Sequence, residues 1–148
     1  MRRVLVVGAV AAALLIGACG SSGGSSAGAA GPITKADYLR RGNALCQKLA
    51  DHLKSAAKDV GASGADGIAT YLKGTLVPAV RAQLDDLRAL GYPAGDDATL
   101  KSIYDDAGKV LDSIAQNPSK FVTESSEDPF ASVNKRLSHY GLTKCGSN

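Results

Sequence analysis

The chain has 148 residues with 17 Lys and Arg against 14 Asp and Glu, a net charge of +3, five Tyr, two Phe and no Trp. That length suits one domain with a real core built mainly on Leu, Val and Ala. The basic excess is too small and too scattered for a nucleic-acid surface: past the N-terminus the only basic pairs are Arg40-Arg41 and Lys135-Arg136.

Arg2 and Arg3 precede an uncharged run from Val4 to Ile16. The run has the length of a secretory h-region and is shorter than the about 20 residues that span a hydrocarbon core. It leads into Ile16-Gly17-Ala18-Cys19, which resembles the lipobox of bacterial lipoproteins: an aliphatic residue, two small residues, then a cysteine. The resemblance implies that Cys19 receives a diacylglyceryl group and becomes the first residue once the signal peptide, residues 1–18, is cut away. The alternatives are a plain signal peptide with a chance cysteine, or an uncleaved apolar helix. The two arginines stand at the very start without a longer twin-arginine motif, which favours the general secretory route. Two acyl chains on Cys19 are enough for stable anchoring, at about 0.8 kcal/mol per buried CH₂. The expected product is held at the extracytoplasmic face of the cell membrane without spanning it. Loss of Arg2 and Arg3 also brings the net charge to about +1.

Residues 19–32 form the lipidated cysteine and a tether. Gly20 to Gly31 is all Gly, Ser and Ala, with nothing to bury, so a flexible coil with a reach of roughly 20 Å is expected. With Cys19 used as the anchor, Cys46 and Cys145 remain. In an oxidising compartment the economical outcome is one disulfide between them, the alternative being two free thiols. Closing almost the whole domain in this way is worth roughly 4–5 kcal/mol by loop entropy.

The domain proper covers residues 33–148. Thr34-Lys35-Ala36-Asp37 reads as a capping box with Asp in place of Glu. From Lys35 to about Val60, Tyr38, Leu39, Gly42, Leu45, Cys46, Leu49, Leu53, Ala56 and Val60 step by three and four, predicting an amphipathic helix with Cys46 on its buried stripe. Gly61 to Gly64 break the pattern, and Asp66 is the predicted cap of a second helix carrying Ile68, Leu72, Leu76, Val80, Leu84, Leu87 and Leu90. Pro78 either kinks that helix or splits it; the unbroken stripe favours a kink. Gly91 ends it, and Tyr92-Pro93-Ala94-Gly95 is a loop. Asp96 or Asp97 caps a third helix with Leu100, Ile103, Ala107, Val110 and Ile114, ended by Asn117-Pro118. Residues 119–128 are irregular, a short helical turn or loop. Asp128-Pro129 then starts a fourth helix with Phe130, Val133, Leu137 and Tyr140, closed by Gly141-Leu142 in Schellman fashion. The expected fold is all-α, a four-helix up-down-up-down bundle with one disulfide.

Several pieces of this domain resemble small actinobacterial lipoproteins and secreted proteins of unknown function. They are Ile33 to Tyr38, Asn43 to Cys46, Leu87 to Asp96, Asp128-Pro129-Phe130, and Tyr140-Gly141-Leu142 with Cys145-Gly146. The resemblance implies the helical architecture and the paired cysteines, and carries no activity.

A search for chemistry finds no nucleophile elbow, zinc-protease or phosphate-loop motif. His52 reads as a boundary residue of the first helix, and His139 as a cation in the last turn of the fourth, suited to the helix dipole. A Cys145–His139 nucleophile pair would need the thiolate that a disulfide removes. Asp85-Asp86 and Asp105-Asp106 read as solvated faces, with Arg81–Asp85 and Asp105–Lys109 as i,i+4 pairs. No metal and no cofactor are expected. Tyrosines are read as pointers to a surface: Tyr92, with Asp96 and Asp97, is a candidate recognition loop, weighed against plain loop packing. The expected function is a non-enzymatic binding or protein-interaction module of the cell envelope. The alternative is a carrier of a small apolar ligand or a metal between the helices. The partners expected are the membrane through Cys19 and an envelope protein or small apolar ligand.

Overall fold

A computed structural model describes residues 32–58, 60–123 and 128–147. The expected signal peptide, Cys19 and nearly all of the expected tether lie outside the described residues. Within them the fold is all-helical, with no strand. The helices are α1 (Lys35–Ala56), α2 (Gly64–Tyr71), α3 (Val77–Ala89), α4 (Asp97–Gln116), α5 (Pro118–Thr123) and α6 (Ala131–Tyr140). No helix among the described residues is long and apolar enough to cross a membrane.

Helix α1 starts as its sequence dictates. The Thr34 hydroxyl accepts the Asp37 N–H at 3.1 Å and donates to the Asp37 carboxylate at 3.0 Å, so one orphan donor of the first turn is satisfied. The helix ends at Ala56 rather than Val60. A turn closed by Val60 N–H on the Ala57 carbonyl, at 3.2 Å, follows the helix and leaves Val60 half-buried. A 3₁₀ turn, Gly61–Ser63, leads into α2. Asp66 does not cap α2, which begins two residues earlier; it lies within the first turn, where its charge suits the dipole.

The chain from Gly64 to Ala89 is helical throughout but not uniformly α. Leu72–Leu76 forms a π turn, with Val77 N–H bonding the Leu72 carbonyl five residues back. Pro78 follows in the first turn of α3. A proline inside a regular α-helix loses its bond to residue 74 and crowds that carbonyl; the wider turn makes room for the ring, while Pro78 still has no N–H to give. The expected kink is therefore a π insertion. It also shifts the buried face by one residue, so that Val77 is buried while Leu76 is half-buried. Helix α2 packs on the short α5.

Helix α4 is the centre of the core. Leu100, Ile103, Tyr104, Ala107, Leu111 and Ile114 are all buried. Helix α1 packs on α3, α3 on α4, and α4 on α6. Ion pairs lace the outer seams: Arg81 to Asp112 at 2.5 Å and Arg88 to Asp105 at 3.8 Å join α3 to α4, while Arg136 to Asp106 at 2.6 Å joins α6 to α4. The expected Arg81–Asp85 and Asp105–Lys109 pairs give way to these and to Arg88–Asp85 and Lys109–Asp106 at i,i+3. A cross-helix partner is reached without bending a long side chain along its own helix. Exposed pairs of this kind add little individually.

Helix α6 begins at Ala131, later than expected. Asp128 instead makes a turn, accepting the Phe130 N–H at 2.8 Å and the Asn134 amide at 2.9 Å. At the other end Gly141 is left-handed, φ +111°. Leu142 N–H reaches the Leu137 carbonyl at 2.9 Å and Gly141 N–H the Ser138 carbonyl at 3.1 Å, the Schellman pattern that the sequence predicts. The tail then crosses onto α1. Asn43 donates to the Gly141 carbonyl at 3.0 Å and accepts the Lys144 N–H at 2.8 Å. Fully buried Leu142 fills the space over Gly42, where a Cβ would meet its methyl at 2.6 Å. Cys145 is disulfide-bonded to Cys46, with Cα atoms 4.9 Å apart.

Candidate functional site: an apolar cleft beside the disulfide

Two places on the domain gather the chemically distinctive side chains. The first is the end where Ile33, the loop after Gly91, the start of α4 and the end of α6 meet. Tyr38 and Tyr104 are wholly buried there, their hydroxyls hydrogen-bonded to each other. Tyr140 stands edge-on to Tyr38, ring centroids 6.3 Å apart, and donates its hydroxyl proton to Asp96 at 2.7 Å. Lys35 covers the Tyr140 ring at 4.3 Å and pairs with Asp96 at 3.4 Å. The Tyr140 hydroxyl, and after it Lys35, holds the Asp96 carboxyl below the usual carboxylate range. Burial pushes the Tyr38, Tyr104 and Tyr140 phenols up, with the neighbouring Tyr38 adding to the effect at Tyr104 and the Asp96 charge at Tyr140.

The candidate recognition loop belongs to this end. Tyr92 is half-buried, its ring 6.5 Å from that of Tyr104 and 5.7 Å from the Lys101 ammonium. Asp96 stands at the N-cap of α4 but makes no side-chain cap; its carboxylate is drawn to Tyr140 and Lys35 instead. Asp97 is exposed in the first turn and pairs with Lys101 at 2.7 Å. The loop residues are thus brought together, and each is engaged with its neighbours. Tyrosine as a surface pointer is corrected at Tyr104, which is core and shares a hydrogen bond with Tyr38 of the predicted α1 stripe.

The second place is a cleft of about 140 Å³ between α1, α3 and α6. It exists because α1 meets α6 chiefly through the tail, leaving the space between them open below the staple. Leu49 and Leu53 from α1, Leu76 and Val80 around the π turn, and Phe130 and Val133 before and within α6 line it, with the disulfide in its wall. All but Val133 are half-buried. Gln83 is the one buried polar residue among the described residues. Its amide can face two ways. One offers its nitrogen only the weak acceptor Cys46 Sγ at 3.0 Å; the other donates to the Leu45 carbonyl at 3.2 Å and accepts the Cys46 N–H at 3.1 Å. We assign the second, which makes two ordinary hydrogen bonds. Asn134 is committed to Asp128. Lys144 is the only charged residue of the lining among the described residues, and it is exposed.

The remaining candidates are scattered. His52 is exposed on α1 and borders a shallow groove with Lys48 and Asp86; His139 is exposed in the last turn of α6. They share no site. Among the described residues no group of three or more His, Cys, Asp or Glu side chains converges. The cleft and the Tyr38–Tyr104 pair were missed by sequence reasoning. The spacing of Ile68, Leu72, Leu76, Val80 and Leu84, a strict four, held a signal for the π turn at the mouth, since it exceeds the 3.6 residues of an α turn.

The chain matches no protein-family model, no curated protein and no solved structure.

Proposed function

We propose that this chain is a lipid-anchored extracytoplasmic protein whose helical domain is a non-enzymatic binding or interaction module of the cell envelope. The observation that carries this reading is the Cys46–Cys145 disulfide. Such bonds persist in oxidising compartments, which is where the lipobox-like Ile16-Gly17-Ala18-Cys19 would deliver the chain. The tether would let the domain move clear of the lipid surface while staying attached to it. The four longer helical stretches run as an up-down-up-down bundle in this reading. The packing of α1 on α3, α3 on α4 and α4 on α6 supports it, as does the meeting of the starts of α1 and α4 with the ends of α3 and α6.

The test is expression of the full chain in a bacterium that lipidates its exports, fed an alkyne fatty acid. The wild-type chain is expected in the membrane fraction, labelled, with its two remaining cysteines oxidised. Cys19→Ser should lose both label and membrane attachment. An unlabelled wild-type chain in the soluble fraction would sink the proposal.

A second reading, a carrier of a small apolar ligand, is favoured by the cleft. Half-buried leucines and a phenylalanine around an unfilled space are an unusual way to leave apolar surface.

A further inference from the structure

The geometry points to a specific occupant for the cleft: the alkyl chain of a small monocarboxylate, with its carboxylate at Lys144. This deepens the carrier reading and rests on it.

Size comes first. An enclosed apolar cavity of about 150 Å³ accommodates benzene, so the 140 Å³ here has room for about six carbon atoms. Polarity comes next. Leu49, Leu53, Leu76, Val80 and Phe130 offer no hydrogen bond, and the two amides of the lining, Gln83 and Asn134, already have partners. A ligand polar along its length would therefore lose its water without compensation. The enclosed part must be hydrocarbon.

Charge then sets the head. Among the described residues Lys144 is the one charged residue of the lining, and no acidic side chain pairs with it. Its backbone is held twice, by its own N–H on the Asn43 side chain at 2.8 Å and by the adjacent Cys145 in the disulfide. The base of this lysine is therefore fixed relative to the cleft, which an ordinary surface lysine on a free tail would not be. A single ammonium, with no arginine beside it, suits one negative charge better than the bidentate or doubly charged groups that arginine clusters take.

The experiment is isothermal titration of the disulfide-intact domain, residues 19–148 with Cys19→Ser, against octanoate and, separately, 1-octanol. Octanoate is expected to bind one to one with half-saturation below about 1 mM, and octanol about fivefold more weakly. Lys144→Met should weaken octanoate about fivefold and leave octanol unchanged. Ala50→Phe, at an exposed helix position bordering the cleft, should abolish both while the helical circular dichroism stays the same. Equal affinities for the two probes, insensitive to Lys144→Met, would overturn the carboxylate assignment and leave the apolar-ligand reading standing. No saturable binding of either probe would overturn both. Binding that survives Ala50→Phe would remove the cleft from the proposal. A dimer that dissociates on adding octanoate would assign the cleft to a second copy of the chain instead.

Discussion

The tyrosine-rich end and the cleft flank close the same bundle by opposite means. At the first, Tyr38 and Tyr104 fill the interior completely and satisfy each other's hydroxyls, while Tyr140, Asp96 and Lys35 seal the rim. At the second, the helices stand apart, leucines remain half-exposed, and a covalent bond holds the tail across the gap. The contrast teaches that aromatic residues need not mark a binding surface. Here the distinctive side chains are spent on packing, and the room lies among ordinary leucines.

The largest effect should come from the staple. Replacing Cys46 and Cys145 together by Ser is expected to cost about 4 kcal/mol, read by urea denaturation. A cost below about 1 kcal/mol would mean that the Leu142 and Asn43 contacts hold the tail without the disulfide, and the two regions would differ less than described.

Next is the tyrosine pair. Tyr104→Phe should cost about 1–2 kcal/mol, because the Tyr38 hydroxyl is then buried without its partner. The double change Tyr38→Phe with Tyr104→Phe should cost less than the two single changes added. Strict additivity would contradict the paired arrangement. The same residues set an alkaline limit. Their phenols are raised above the ordinary value of 10.0 in the folded state, so the neutral form is favoured by folding. That contribution is complete below pH 10 and is lost as pH rises through and beyond it. Stability followed from pH 8 to 12 should fall past about pH 10, less steeply in the double Phe variant. Asp96 works in the opposite direction. Its pKa is lowered below the ordinary 3.8, so its contribution is present above that pH and is lost as pH falls through the folded value.

The smallest effect should come from the cleft itself. Ala50→Leu adds apolar carbon to an unfilled space and is expected to raise stability by about 0.5–1 kcal/mol. Destabilisation by the same change would show that the walls already touch.

Much of this contrast lies beyond what the sequence can carry. Short-range physics is legible: the Thr34 cap, the Gly141-Leu142 closure, the α4 stripe and the pairing of Cys46 with Cys145 follow from periodicity, turn chemistry and a cysteine count. The π turn was half-legible, since Pro78 flagged a disturbance without saying which kind. Tyr104 was not. It sits one residue after Ile103, outside the assigned stripe, and its partner Tyr38 is 66 residues away. Asp96 stands at the N-cap of α4, one of the two positions expected, but its carboxylate turns to Tyr140 and Lys35, because a phenol and an ammonium outcompete backbone N–H groups that water can serve. The cleft is a mismatch between helices, and no single helix encodes it.

The most direct test of the account is methyl and amide NMR of the disulfide-intact domain titrated with octanoate. Shifts confined to Leu49, Leu53, Leu76, Val80, Val133 and Lys144, with Tyr92, Asp96 and Asp97 unmoved, are predicted. Shifts centred on the Tyr92 loop, or none at millimolar octanoate, would contradict it.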